Sequence, residues 1–173
     1  MSQHYPAMSV VTPTLVVCEQ SDRWRLAWQT WQSRLNRTPG KLRTSAVQTT
    51  DQDSSRAVIR SVRQVDELAA AIERWQPAAV LLEIVVPNQV SACRAISQLV
   101  KRWPRGLLFA VGSRAVRSAE ASARWAGAAG CAWSVRELPP LVEWFERVCQ
   151  KLDVPPGGWE ESIRTALPWG VES

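Results

Sequence analysis

Histidine is almost missing from this chain: among 173 residues only His4 carries an imidazole, and it stands in the first few positions. Nucleophilic catalysis by a Ser/His or Cys/His pair therefore has no base in the body of the chain. Cysteine is sparse and scattered. Cys18, Cys93, Cys131 and Cys149 form no CxxC pair, so the close ligand pairs of a structural zinc are lacking, and each thiol sits in an apolar segment as a small hydrophobe. No apolar run approaches the roughly 20 residues of a membrane-spanning helix, and no basic start leads into the apolar core of a secretory signal. The expectation is a cytoplasmic protein with no membrane partner. Glycine-rich phosphate loops are missing too. Neither a P-loop nor a GxGxxG follows the first apolar segment, which leaves no support for a nucleotide, another cofactor or a small-molecule substrate.

What is present is an ordinary globular balance. Hydrophobic residues make up 46% and charged residues 21%, enough for a core in one domain of this length. The net charge of +5 permits acidic partners without demanding them. Tryptophan stands out with ten copies; Trp24, Trp28, Trp31, Trp75, Trp103, Trp125 and Trp144 fall within or at the ends of the helical stretches, where a Trp stripe reads as core packing.

Along the chain, short apolar runs alternate with amphipathic stretches. After a leader (1–13), TLVVC (14–18) reads as a strand. Ser21 then offers an N-cap to a helix carrying Trp24, Trp28, Trp31 and Leu35 on one face. A long connection (36–56) holds Pro39, Gly40 and several hydroxyl residues. AVIRSV (57–62) is a second strand, followed by a helix facing inward with Val65, Leu68, Ala69, Ile72 and Trp75. AAVLLEIVVPN (78–88) is a third, with Glu83 inside an otherwise apolar run. A helix with Val90, Cys93, Ile96, Val100 and Trp103 stops at Pro104. LLFAVG (107–112), an Ala-rich helix (115–126) and GCAWSV (130–135) come next. A last helix uses Leu141, Trp144 or Phe145, Val148 and Leu152. The body (14–152) thus alternates five strands with five helices, which predicts an α/β fold: a parallel sheet with helices on both faces, three layers in all. The tail (153–173) opens with Pro-Pro-Gly-Gly and carries a short amphipathic piece with Trp159, Ile163 and Leu167.

A lone buried carboxylate is costly, so Glu83 is expected near the strand's carboxyl end, where a crevice opens. LLEIVVPN resembles the LLDxxMP signature that ends the third strand of response-regulator receiver domains, the CheY-like family, and LVVCEQS resembles their LVVDDxx. The resemblance spans about 14–152. It implies a flavodoxin-like sheet of order 2-1-3-4-5 and a phospho-acceptor site assembled after the first, third, fourth and fifth strands. Carried across, the acidic pair falls on Cys18 and Glu19, the acceptor on Glu83, and the hydroxyl position on Gly112 with Ser113 behind it. The lysine position falls on Ser134 or, with one residue deleted, on Arg136.

These replacements imply a dismantled phosphotransfer site with no catalytic residue. Glu carries its carboxylate about 1.5 Å further than Asp, and a misplacement of that size costs on the order of a hundredfold in a positioned reaction. Cys18 removes a hard oxygen ligand that magnesium prefers, so no metal is expected, the alternative being a weak site at Glu19 and Glu83. Glu83 itself reads either as a mimic of a phosphorylated acid or as a relic paired with Arg136, Arg114 or water.

The expected role is that of a degenerate receiver serving in signalling as an interaction or scaffolding module, with no enzymatic activity and no room in the chain for an output domain. Its partner is a protein or a second copy, held through the face made by the fourth helix, fifth strand and fifth helix, with Ala119, Trp133 and Trp144 as contacts and an exposed Trp133 as hot spot. The alternative is a nucleic-acid-associated regulator using RLNRTPGKLR (34–43), where Arg34, Arg37, Lys41 and Arg43 would meet phosphates. No helix-turn-helix, zinc finger or RNA-binding aromatic motif accompanies that stretch.

Overall fold

Five strands, four of them rich in Val, Leu and Ile, form in the computed structural model, which describes residues 13–35 and 57–152. They are β1 (Thr14–Cys18), β2 (Val58–Val62), β3 (Ala79–Ile84), β4 (Leu107–Gly112) and β5 (Gly130–Ala132). All pair in parallel, in the order β2-β1-β3-β4-β5. The intervening helices are α1 (Arg23–Leu35), α2 (Glu67–Trp75), α3 (Gln89–Arg102), α4 (Glu120–Ala126) and α5 (Pro139–Leu152). The expected three-layer flavodoxin-like arrangement is the one observed.

Side chains alternate across the sheet, and each face packs its own core. Leu15, Val17, Ala79, Leu81, Phe109 and Val111 meet α1 and α5 on one side. Val16, Cys18, Val80, Leu82, Leu108 and Ala110 meet α2, α3 and α4 on the other. Trp24 and Trp28 are fully buried in the first core, and Trp31 and Leu35 pack at its margin. Trp28 stands edge-on to Phe145 at 5.5 Å between ring centroids, a favoured aromatic geometry. Phe145, with Leu141, Val142 and Cys149, is the inward set of α5, while Trp144 is 36% exposed. All four cysteines are free thiols.

Several boundaries differ from the sequence reading, each for a local reason. The fifth strand ends at Ala132 because the chain turns there: Trp133 N donates to Glu137 Oε2, and Glu137 N donates to Ser134 O. The fourth helix begins as a 3-10 turn (Arg114–Ala119), entered by the Val116 N–H donating to Ser113 O, before becoming α4. The second helix starts at Glu67 because Val65 is spent on a tight turn, its carbonyl accepting from Leu68 N. Beyond β3, Val86–Asn88 forms another 3-10 turn; Asn88 Oδ1 accepts from Val85 N, and Pro87 presets the bend. Apart from Pro13, the expected leader lies outside the described residues, as do the connection 36–56 and the tail 153–173.

Candidate functional site

The sheet's order reverses between β1 and β3, and ligands of open α/β sheets bind in the crevice at such a point. Glu83, next to last in β3, is half-buried there, opposite Val111 of β4. Glu19 follows β1 and is 2% exposed. Its Oε2 accepts from Trp24 N at 2.7 Å and its Oε1 from Arg25 N at 2.9 Å. Glu19, not Ser21, therefore caps α1, satisfying two orphan amides at the positive end of the helix dipole. The sequence reading placed the cap at Ser21 because that hydroxyl precedes the helix. The longer acid reaches the same amides from further back.

Glu83 is tied in the same way. Its Oε2 accepts from Gln20 N at 3.2 Å and its Oε1 from the Trp24 indole Nε1 at 3.1 Å. The expected pairing with Arg136 or Arg114 does not form; Glu83 meets N–H donors of the loop after β1 and of α1, which lie nearer. The Arg23 guanidinium stands over the Trp24 ring at 5.2 Å, within cation–π range.

Arg63, just after β2, reaches across to this loop. It donates to the carbonyls of Glu19 and Gln20 and, at 2.9 Å, to Asp22 Oδ1. With Arg25 it holds the Asp22 carboxyl below its ordinary range. Burial pushes Glu19 upward; the Trp24 and Arg25 amides oppose this, and the Glu83 and Asp22 charges add to it. Burial, then the charges of Glu67, Glu83 and Glu19, push the Cys18 thiol up to about 12.

The resemblance implies a divalent cation held near Glu19 and Glu83, and these residues do not fit one. All four carboxylate oxygens of Glu19 and Glu83 accept N–H donors, and the neighbouring residue is Cys18, a buried thiol where a hard cation wants oxygen. Among the described residues no group of three metal-ligating side chains converges.

Gly112 ends β4, opposite Ile84 of β3. A Cβ there would lie 2.7 Å from the Ile84 carbonyl oxygen and from Val116 Cγ2, and 3.1 Å from Trp133 Cε3. A hydroxyl side chain has no room. Ser113 is exposed. Ser134, two residues past β5, keeps its hydroxyl buried and without a hydrogen-bond partner, whereas Arg136 is exposed within a 3-10 turn. Both candidates for the lysine position thus stand apart from Glu83's hydrogen bonds.

Trp133 corrects the sequence reading most clearly. Expected exposed on β5's outer side, it is 1% exposed. Its Nε1 donates to Glu120 Oε2 at 2.8 Å, and it packs in the core beneath α2, α3 and α4. With β5 ending at Ala132, the chain turns and carries the ring inward over Gly112. Ala119 is buried too. Trp125, expected in the core as part of a helix stripe, is 92% exposed at the end of α4, because Ala123 and Ala126 fill that helix's narrow inner face. Of the basic stretch, Arg34 stacks over Trp31 at 4.8 Å; Arg37, Lys41 and Arg43 lie outside the described residues.

The sequence reading missed three working residues. Trp24 was read only as core, although a Trp five residues after Glu19 can place its backbone and indole N–H on different acids. Arg63 and Glu120 carried no motif; a charge directly after a strand and at a helix start was the one available signal.

No protein-family model matches the sequence, and no curated protein does either. Solved structures do. A putative LuxO repressor's signal receiver domain from Vibrio parahaemolyticus is 12% identical with a TM-score of 0.58, covering 85% of this chain and 99% of its own. A response regulator from Thermotoga maritima is 14% identical with a TM-score of 0.57, covering 79% and 99%. A CheY-like protein, TadZ, from Pseudomonas aeruginosa is 17% identical with a TM-score of 0.53, covering 79% and 94%. The described residues have the CheY-like receiver-domain fold. None of their helices is long and apolar enough to cross a membrane.

Proposed function

We propose that this protein is a pseudo-receiver: a non-enzymatic signalling module that is not phosphorylated by the aspartyl route and acts by binding another protein or a second copy of itself. The observation that carries the reading is the acceptor position. Glu83, to which the resemblance assigns the phospho-acceptor position, is already engaged by Gln20 and Trp24, and Gly112 leaves no space for a hydroxyl side chain. The likeness of fold supports a signalling role only by analogy.

The partner face is that of α4, β5 and α5. Since Trp133 is internal, its hot spot moves to Trp125 of α4, 92% exposed, with Trp144 of α5 as a second contact. A cytoplasmic location suits such a module. Two measurements test the reading. Incubation with a small-molecule phosphodonor and magnesium should leave the intact mass unchanged; a phosphate adduct on Glu83 ends the pseudo-receiver reading. Trp125→Asp should leave the melting temperature unchanged yet abolish self-association or partner capture, and unaltered association removes this face from consideration.

A further inference from the structure

We propose that Trp24 takes the cation's place: its indole N–H, aimed at Glu83, closes the acidic crevice to divalent metal and holds the fold in one cation-independent arrangement. This rests on the pseudo-receiver reading and says what replaced the lost chemistry.

Two carboxylates in one crevice need positive partners, and in a low-dielectric site that need is strong. Here one residue meets both acids. The backbone N–H of Trp24 donates to Glu19 and its indole N–H to Glu83, at 2.7 and 3.1 Å. The remaining oxygens take the amides of Arg25 and Gln20. Positive charge is supplied from behind by Arg23 over the indole ring, by Arg63 on the carbonyls of Glu19 and Gln20, and by the N-terminus of α1. Because Trp24 is fully buried, the indole cannot swing away to admit an ion without opening the core beneath α1.

The test uses the full chain, with magnesium and manganese as probes. Wild-type protein should show a Trp24 indole proton protected from solvent exchange, unmoved by millimolar magnesium, and no manganese-induced broadening near Glu19 and Glu83. Trp24→Phe should lower the melting temperature and make it magnesium-responsive, because Glu83 then keeps one donor and an ion can complete it. Broadening in wild-type protein overturns this inference, whereas the pseudo-receiver reading falls only with a phosphate adduct on Glu83. A folded Trp24→Phe whose stability ignores magnesium overturns the inference alone. Should that variant fail to fold, Glu83→Ala decides: loss of exchange protection at the Trp24 indole supports the pairing, and unchanged protection overturns it.

Discussion

The indole nitrogen of Trp133 donates to Glu120 Oε2 at 2.8 Å, tying the chain just beyond β5 to the first residue of α4. The same ring covers Gly112. The end of β4, the chain just past β5 and the start of α4 meet at this point. Here that corner is filled by one side chain with a satisfied polar atom.

Glu120→Ala should destabilise the protein by about 1–3 kcal/mol, since a buried indole N–H loses its acceptor. Trp133→Ala should cost more, about 3–5 kcal/mol, through the cavity it leaves. Urea unfolding of both variants and of the double mutant checks the pairing: the two losses should add to more than the double mutant's loss.

Gly112→Ala should cost about 1–3 kcal/mol by overpacking. Trp133→Leu should relieve only part of that cost, because the new Cβ also meets the Ile84 carbonyl and Val116. Full rescue in a denaturation series would show that the ring alone sets the constraint.

Two acids should bend the pH profile of stability in opposite directions. Burial raises Glu19, so the folded state holds its proton more tightly than the unfolded chain; stability falls as pH rises from the ordinary carboxylate value, about 4.3, through the raised one, and is flat above. The hydrogen bond from Trp133, with Arg124 adding, lowers Glu120; its contribution is present above the ordinary value and is lost as pH falls through the lowered one. Denaturation midpoints across acidic pH should show Glu19→Gln removing the first slope and Glu120→Gln the second.

The thiols should be unreactive in the native state. Cys18 is buried and pushed up to about 12, and Cys131 is raised to about 11, chiefly by burial. Thiolate is the nucleophile, so iodoacetamide at mildly alkaline pH should label both only after denaturation. Rapid labelling of Cys18 in folded protein would contradict its buried setting.

How much of this was legible beforehand follows from the kind of interaction involved. The runs TLVVC and AVLLEI announce buried strands because apolar periodicity is a local signal. The place of Glu83 at the end of β3 was legible as well, since an acid in such a run must reach an opening. Its partners were not. Gln20 lies 63 residues away and Trp24 59, and only the register of β1 beside β3, with Cys18 level with Leu82, brings them together.

Trp133 and Trp125 make the same division from the other side. Both read as large apolar residues near the fourth helix and fifth strand, and nothing in their neighbours ranks one as core and the other as surface. A strand that stops after Ala132 turns Trp133 inward over Gly112, while the narrow alanine face of α4 leaves Trp125 in solvent. The sequence by itself determined the alternation of elements and the two-faced core, because each follows from residue type and local spacing. Only the tertiary structure decided which donors satisfy Glu19 and Glu83 and which tryptophan faces outward, because those depend on where separate elements pack.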